Sequence, residues 1–188
     1  STKIAKKSEK LSEMKLSIPQ EVVKKAKLNQ DIETKINQAL KKLEKEYIIY
    51  LDSIEGEKLN GHDFFLTGAY LDKDGIVFDY SIDYNKLEER IRAKHSDGYF
   101  AEKNYEDCIA HEIAHIIPFQ NCTTATEYMN MVQKIKGQYV PGISKYADRT
   151  KDGRECLAEA FVRYRNGERI PDEARKLIEK YILPWRRK

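Results

Sequence analysis

Residues 108–119 read "CIAHEIAHIIPF" and hold two of the chain's four histidines, four positions apart, with a glutamate directly after the first. Four residues advance an α-helix by just over one turn, so His111 and His115 project from one face, about 40° apart. Two neutral imidazoles so placed can grip one Zn2+ ion. Glu112 is about 60° from His115 around the same helix, near enough to reach a water at the metal without binding the metal itself. The flanking Ile109, Ala110, Ile113, Ala114, Ile116 and Ile117 make this helix apolar on nearly every side, which predicts burial. Burying two histidines and a glutamate without partners is costly, and a metal with its water satisfies all three. Asn104 is the expected N-cap, with Glu106 and Asp107 in the first turn favouring the helix dipole. Pro118 is the expected stop.

A tetrahedral catalytic zinc takes three protein ligands and leaves the fourth position to water. The segment "ECLAEAF", residues 155–161, offers the third. Glu155 and Glu159 are again four apart, on a largely apolar helix that also bears Leu157, Ala158, Phe161 and Val162. One carboxylate can bind the metal while the other accepts a hydrogen bond from the far nitrogen of a ligating histidine, fixing its tautomer. The small Ala158 and Ala160 allow close approach to the histidine helix. Cys108 shares the face of His111 but sits ~4.5 Å back along the axis, so it reads as buried rather than as a ligand. Cys156 reads as core, and His95 and His62 as structural or solvated.

At these motifs the chain resembles the zincin metallopeptidases, with the pairing of HExxH and a later glutamate helix seen in thermolysin. "HEIAH … YADRT … ECLAEAF" is similar to the catalytic region of anthrax lethal factor and the Pro-Pro endopeptidases, and to zincin-like domains of phage minor head proteins. The resemblance covers about residues 105–165, with a looser strand likeness over 65–83. It implies a zinc endopeptidase with metal ligands His111, His115 and Glu155, general base Glu112, Glu159 behind the ligands, and Tyr146 facing the oxyanion. Tyr146 stands farther from Glu155 than the family tyrosine does from its glutamate, and Tyr139 is the reserve for that role. The strand "GIVFDYSI", residues 75–82, precedes the histidine helix as the substrate-aligning edge strand does in zincins. A zincin-like scaffold or interaction domain of a phage or toxin, with little or no turnover, is the alternative. An intact Glu112 weighs against it, since a purely structural domain has no use for that carboxylate.

The expected fold class is α+β: a small twisted sheet packed on the active-site helix and a second, glutamate-bearing helix. Residues 1–48 form a helical N-terminal extension and 49–188 the zincin-like domain. Val22, Val23, Ala26, Ile32, Ile36, Ala39, Leu40 and Leu43 recur at helical spacing, and "KLNQD" divides that extension into two helices. "YIIYLDSI", "FFLTGAYL" and "GIVFDYSI" are strand-like, and "DKDG" at 72–75 marks an antiparallel hairpin over 68–82. That turn lacks the remaining ligands of a calcium loop. Further helices are expected over 84–95, 124–136, 153–166 and 171–183, with "QYVPGISKYADRTKDG" as a long loop.

Composition sets the outer limits. With 188 residues, 40% hydrophobic and 35% charged, the chain can bury a core beneath a highly charged surface. Its 34 basic and 31 acidic residues, net +3, are too balanced to argue for nucleic acid. The N-terminal lysines and the final "WRRK" read as solvated ends. No apolar run approaches the ~20 residues of a membrane span, and no signal-peptide core is visible. Three cysteines without a CxxC pair suit a reducing compartment. The expectation is a monomer, cytoplasmic or virion-associated, acting on an extended peptide or protein, with no membrane or nucleic-acid partner.

Overall fold

A computed structural model describes residues 16–59, the main chain of 65–69, and 74–188. Two helices open the described chain, α1 (Gln20–Lys25) and α2 (Gln30–Glu46). The predicted break between them is present: Lys27 adopts φ 54° and Asn29 caps α2 by accepting from the Ile32 amide. α2 buries Ile32, Ile36, Ala39, Leu40 and Leu43, one stripe at helical period, and that stripe packs against the histidine helix. The described part of the expected N-terminal extension thus shares its apolar core with the helix that carries the site.

Among the described residues the sheet is mixed and three-stranded: β1 (Ser53–Glu57), β2 (Phe65–Ala69) and β3 (Asp74–Asp79), in the order β1-β3-β2. β1 runs parallel to β3, and β2 antiparallel to it with Ala69 opposite Asp74. The expected hairpin is there with shifted ends; Asp72 and Lys73 of its "DKDG" tip lie outside the described residues, as does His62. β3 is paired on both sides, so it cannot serve as the edge strand assigned to "GIVFDYSI". Among the described residues the edges are β1 and β2, and β2 also lies against the histidine helix. Strand order is a tertiary property that β3's apolar texture does not encode.

"YIIYLDSI" joins the sheet only at its end. Gln120 takes the place of a neighbouring strand, accepting from the Tyr50 amide (2.7 Å) and donating to the Ile48 carbonyl (3.1 Å). The Ile48 amide donates to the Trp185 carbonyl (2.8 Å). Trp185 also stands edge-on to Tyr50, so the C-terminal "WRRK" begins as a packed clasp rather than a solvated end.

The remaining elements are α3 (Tyr84–Ser96), α4 (Tyr105–Ile116), α5 (Ala125–Lys136), α6 (Lys145–Thr150), α7 (Gly153–Arg165) and α8 (Asp172–Tyr181). A 3-10 turn over Ile117–Phe119, with Pro118 inside it, ends α4, and another over Leu183–Trp185 ends α8. Asn104 and Thr124 cap α4 and α5 by accepting from Asp107 and Glu127 amides. Within "QYVPGISKYADRTKDG" the structure forms α6 where a loop was expected, because Ser144 caps it by accepting from the Ala147 amide. No helix of the described residues is long and apolar enough to cross a membrane.

Candidate metal centre

α4 and α7 lie against each other, and Ala158 and Ala160 are both fully buried on α7. Gly153 lets the start of α7 sit close against α5: a Cβ there would meet the Ile135 carbonyl oxygen at 1.9 Å. Asp152 caps α7 by accepting from the Arg154 amide and pairs with its guanidinium at 2.7 Å. The first turn of α7 is therefore held from both sides, and it carries Glu155.

Three side chains from these helices converge. His111 Nε2 is 3.1 Å from Glu155 Oε2, His115 Nε2 is 3.3 Å from Glu155 Oε1, and the two Nε2 atoms are 3.2 Å apart. Donors at ~2.0–2.1 Å around a tetrahedral zinc stand about 3.3 Å from one another. The donor set, two imidazole nitrogens and a carboxylate, fits a zinc ion in both chemistry and spacing. His115 and Glu155 remain part-exposed, so the cluster is open on one side, whereas His111 is buried.

The other face of His111 explains why a cation suits this cluster. Among the described residues His111 Nδ1 meets carboxyl oxygens: Glu159 Oε2 at 3.1 Å and, closer still, Glu102 Oε1. Such acceptors require the proton on Nδ1, and a neutral imidazole has one proton to give. Nε2 then turns a lone pair toward the Glu155 carboxylate, a repulsive contact that a positive charge between them relieves. Without metal that charge is a second proton. Burial opposes it, but the Glu102 carboxyl and hydrogen bonds to Glu102, Glu155 and Glu159 lift His111 well above the usual histidine range. Glu155, despite burial, is held far below the usual carboxylate range by the charge of His115 and by hydrogen bonds from His111 and His115.

Glu159, expected behind the ligands, is fully buried there and has further partners. Its Oε1 accepts from Ser144 Oγ (2.8 Å) and from the Ala101 amide (3.2 Å). Burial pushes Glu159 up, yet hydrogen bonds from Glu102, His111 and Ser144 and the charge of His111 keep it below the ordinary range. Glu102 is the residue that sequence reasoning missed. Burial and the adjacent Glu159 raise it well above the usual range. It comes from the loop between α3 and α4, and no spacing links it to His111.

Glu112 is part-buried next to His111 on α4. Tyr146, the second residue of α6, has its ring centroid 6.4 Å from that of His111, and its ring packs on Phe100 (5.5 Å) and Tyr99 (6.2 Å). The left-handed Lys151 (φ 50°) and the Asp152 cap fill the short gap between α6 and α7. Tyr139, the reserve, donates its hydroxyl to Asp148 at 2.7 Å. Cys108, Cys122 and Cys156 are free and buried, and none joins the cluster; Cys156 Sγ donates to the Val140 carbonyl (2.9 Å). His95 sits in the last turn of α3 with Nδ1 3.1 Å from the Phe100 carbonyl.

Comparison with family models, curated proteins and solved structures finds no match for the chain.

Proposed function

We propose that the chain is a zinc-dependent endopeptidase of zincin type. The convergence of His111 Nε2, His115 Nε2 and Glu155 at 3.1–3.3 Å carries this reading, with His111 Nε2 left as a lone pair by the carboxylates behind it. His111, His115 and Glu155 would hold the ion. When bound, zinc acidifies water and polarises a carbonyl group.

The chain's own side chains supply the rest. Glu112 takes a proton on its carboxylate from the attacking water and later passes it to the departing amine. The Tyr146 hydroxyl donates to the developing oxyanion, its ring braced by Tyr99 and Phe100. Glu159 keeps the proton of His111 on Nδ1, so that Nε2 faces the metal. β2, at the sheet edge and against α4, offers main-chain groups on which an extended peptide can pair as an added strand.

Zinc analysis of the purified chain, followed by digestion of a peptide library with the parent and Glu112→Gln proteins, tests this. The proposal expects zinc in both and cleavage only by the parent. Zinc without cleavage in the parent would favour the scaffold function instead.

A further inference from the structure

The loop between α3 and α4 carries Glu102, a glutamate with 5% of its surface exposed. Its Oε1 lies against His111 Nδ1, and its buried Oε2 has no hydrogen-bond partner among the described residues. A buried carboxyl with one oxygen unsatisfied is an expense for folding, so its placement calls for a reason beyond stability. The surroundings hold it in place firmly. The Gly98 and Tyr99 carbonyls accept from the Lys145 and Tyr146 amides (3.1 and 2.9 Å), tying the loop to the start of α6. The Ala101 amide donates to Glu159 Oε1 (3.2 Å), and the Lys103 amide to Asp107 Oδ2 (3.0 Å). The residue is thereby flanked by anchored main chain and set between His111 Nδ1 and Glu159.

Building on the zinc reading of His111, we infer that Glu102 is a positioning residue for that ligand, forming with Glu159 a two-carboxylate brace on His111 Nδ1. Glu159 approaches from α7 and Glu102 from the α3–α4 loop, so the single Nδ1 proton is shared between acceptors from two separate elements. Two acceptors fix the ring plane where one would leave it free to pivot, and hydrogen bonds of this kind raise the basicity of the metal-facing nitrogen. The same loop packs Tyr99 and Phe100 on Tyr146, so one segment sets both the ligand ring and the aromatic wall beside it.

The test uses the full chain as parent, Glu102→Ala and Glu102→Gln. Zn2+ affinity is measured by competition with a chromophoric chelator, and site geometry by the visible spectrum of Co2+. The parent is expected to bind one equivalent. Glu102→Ala should lose roughly ten- to a hundredfold in affinity with an altered Co2+ spectrum. Glu102→Gln, which keeps an acceptor oxygen, should recover part of that loss. Parental affinity and spectrum in Glu102→Ala would overturn the inference. So would two equivalents in the parent falling to one in the variant, since Glu102 would then be a ligand itself. Should Glu102→Ala fail to fold, 15N-histidine NMR of the parent and Glu102→Gln decides: the brace requires a His111 Nδ1–H resonance that shifts in the variant, and an unchanged resonance overturns it. A parent that binds neither ion contradicts the proposed function, and the Nδ1–H comparison still decides the brace.

Discussion

Glu112→Gln keeps the size of the side chain and removes its capacity to take a proton. With the ligand set untouched, zinc content should match the parent while peptide cleavage falls about 10²- to 10⁴-fold. Metal analysis beside single-substrate kinetics checks both halves, and parental turnover would remove Glu112 from the base role. Residue-scale placement was legible wherever one helix carries it. His111, Glu112 and His115 span just over one turn of one helix, so their relation follows from helical pitch alone. Glu159 was legible for the same reason, as Glu155 plus one turn. Glu102 was not. It reaches His111 through a loop anchored to α6 and to Glu159 by main-chain hydrogen bonds, and no local periodicity records such a contact.

α7 delivers Glu155 and Glu159, and two features of its first turn govern its seating. Asp152→Ala removes the cap and should cost about 1 kcal/mol, read as a lower midpoint in urea. Burial works against the Asp152 carboxylate, but hydrogen bonds from the Arg154 side chain and amide hold it below its usual range. A carboxylate lowered in the folded state stabilises above its unfolded value, ~3.9, and that stability is lost as pH falls further. Asp152→Asn should therefore flatten part of the acid limb of the stability profile; an unchanged limb would show that the pair contributes nothing. Gly153→Ala drives a methyl group into the Ile135 carbonyl. Backbone on both sides must then shift, so thermal unfolding should come several degrees earlier and zinc affinity should drop with it.

Caps and periodic stripes were readable at this scale. α6 was hidden by its six-residue length and the Pro141–Gly142 pair before it, although Ser144 carried a cap signal. β3's place in the sheet was hidden too, since an apolar strand reads alike at the centre and at a buried edge.

Across the whole molecule, the cluster of His111, His115 and Glu155 joins two helices from distant parts of the chain, α4 and α7, with α2 packed behind α4. An ion bound only in the folded state stabilises by mass action, about 2.7 kcal/mol at a free concentration one hundred times its Kd. Zinc should accordingly raise the unfolding temperature of the chain, and a chelator should lower it. Glu155→Ala should erase most of that zinc-dependent rise, because the link from α7 is cut. An equal rise in this variant would place the ion elsewhere. Only part of this arrangement could be anticipated. The α+β class and the two site helices follow from sequence texture, whereas the clasp of Trp185 on Tyr50 and the Gln120 side chain replacing a strand are long-range pairings.

The most direct measurement is X-ray absorption at the zinc edge on the purified chain and on His115→Ala, with stoichiometry determined on the same samples. The account predicts one zinc per chain, with nitrogen and oxygen neighbours at ~2.0–2.1 Å, no sulfur, and two imidazoles in the parent; His115→Ala should lose most of the metal. A parent without zinc, or a His115→Ala protein that keeps the same ion in the same shell, would contradict it.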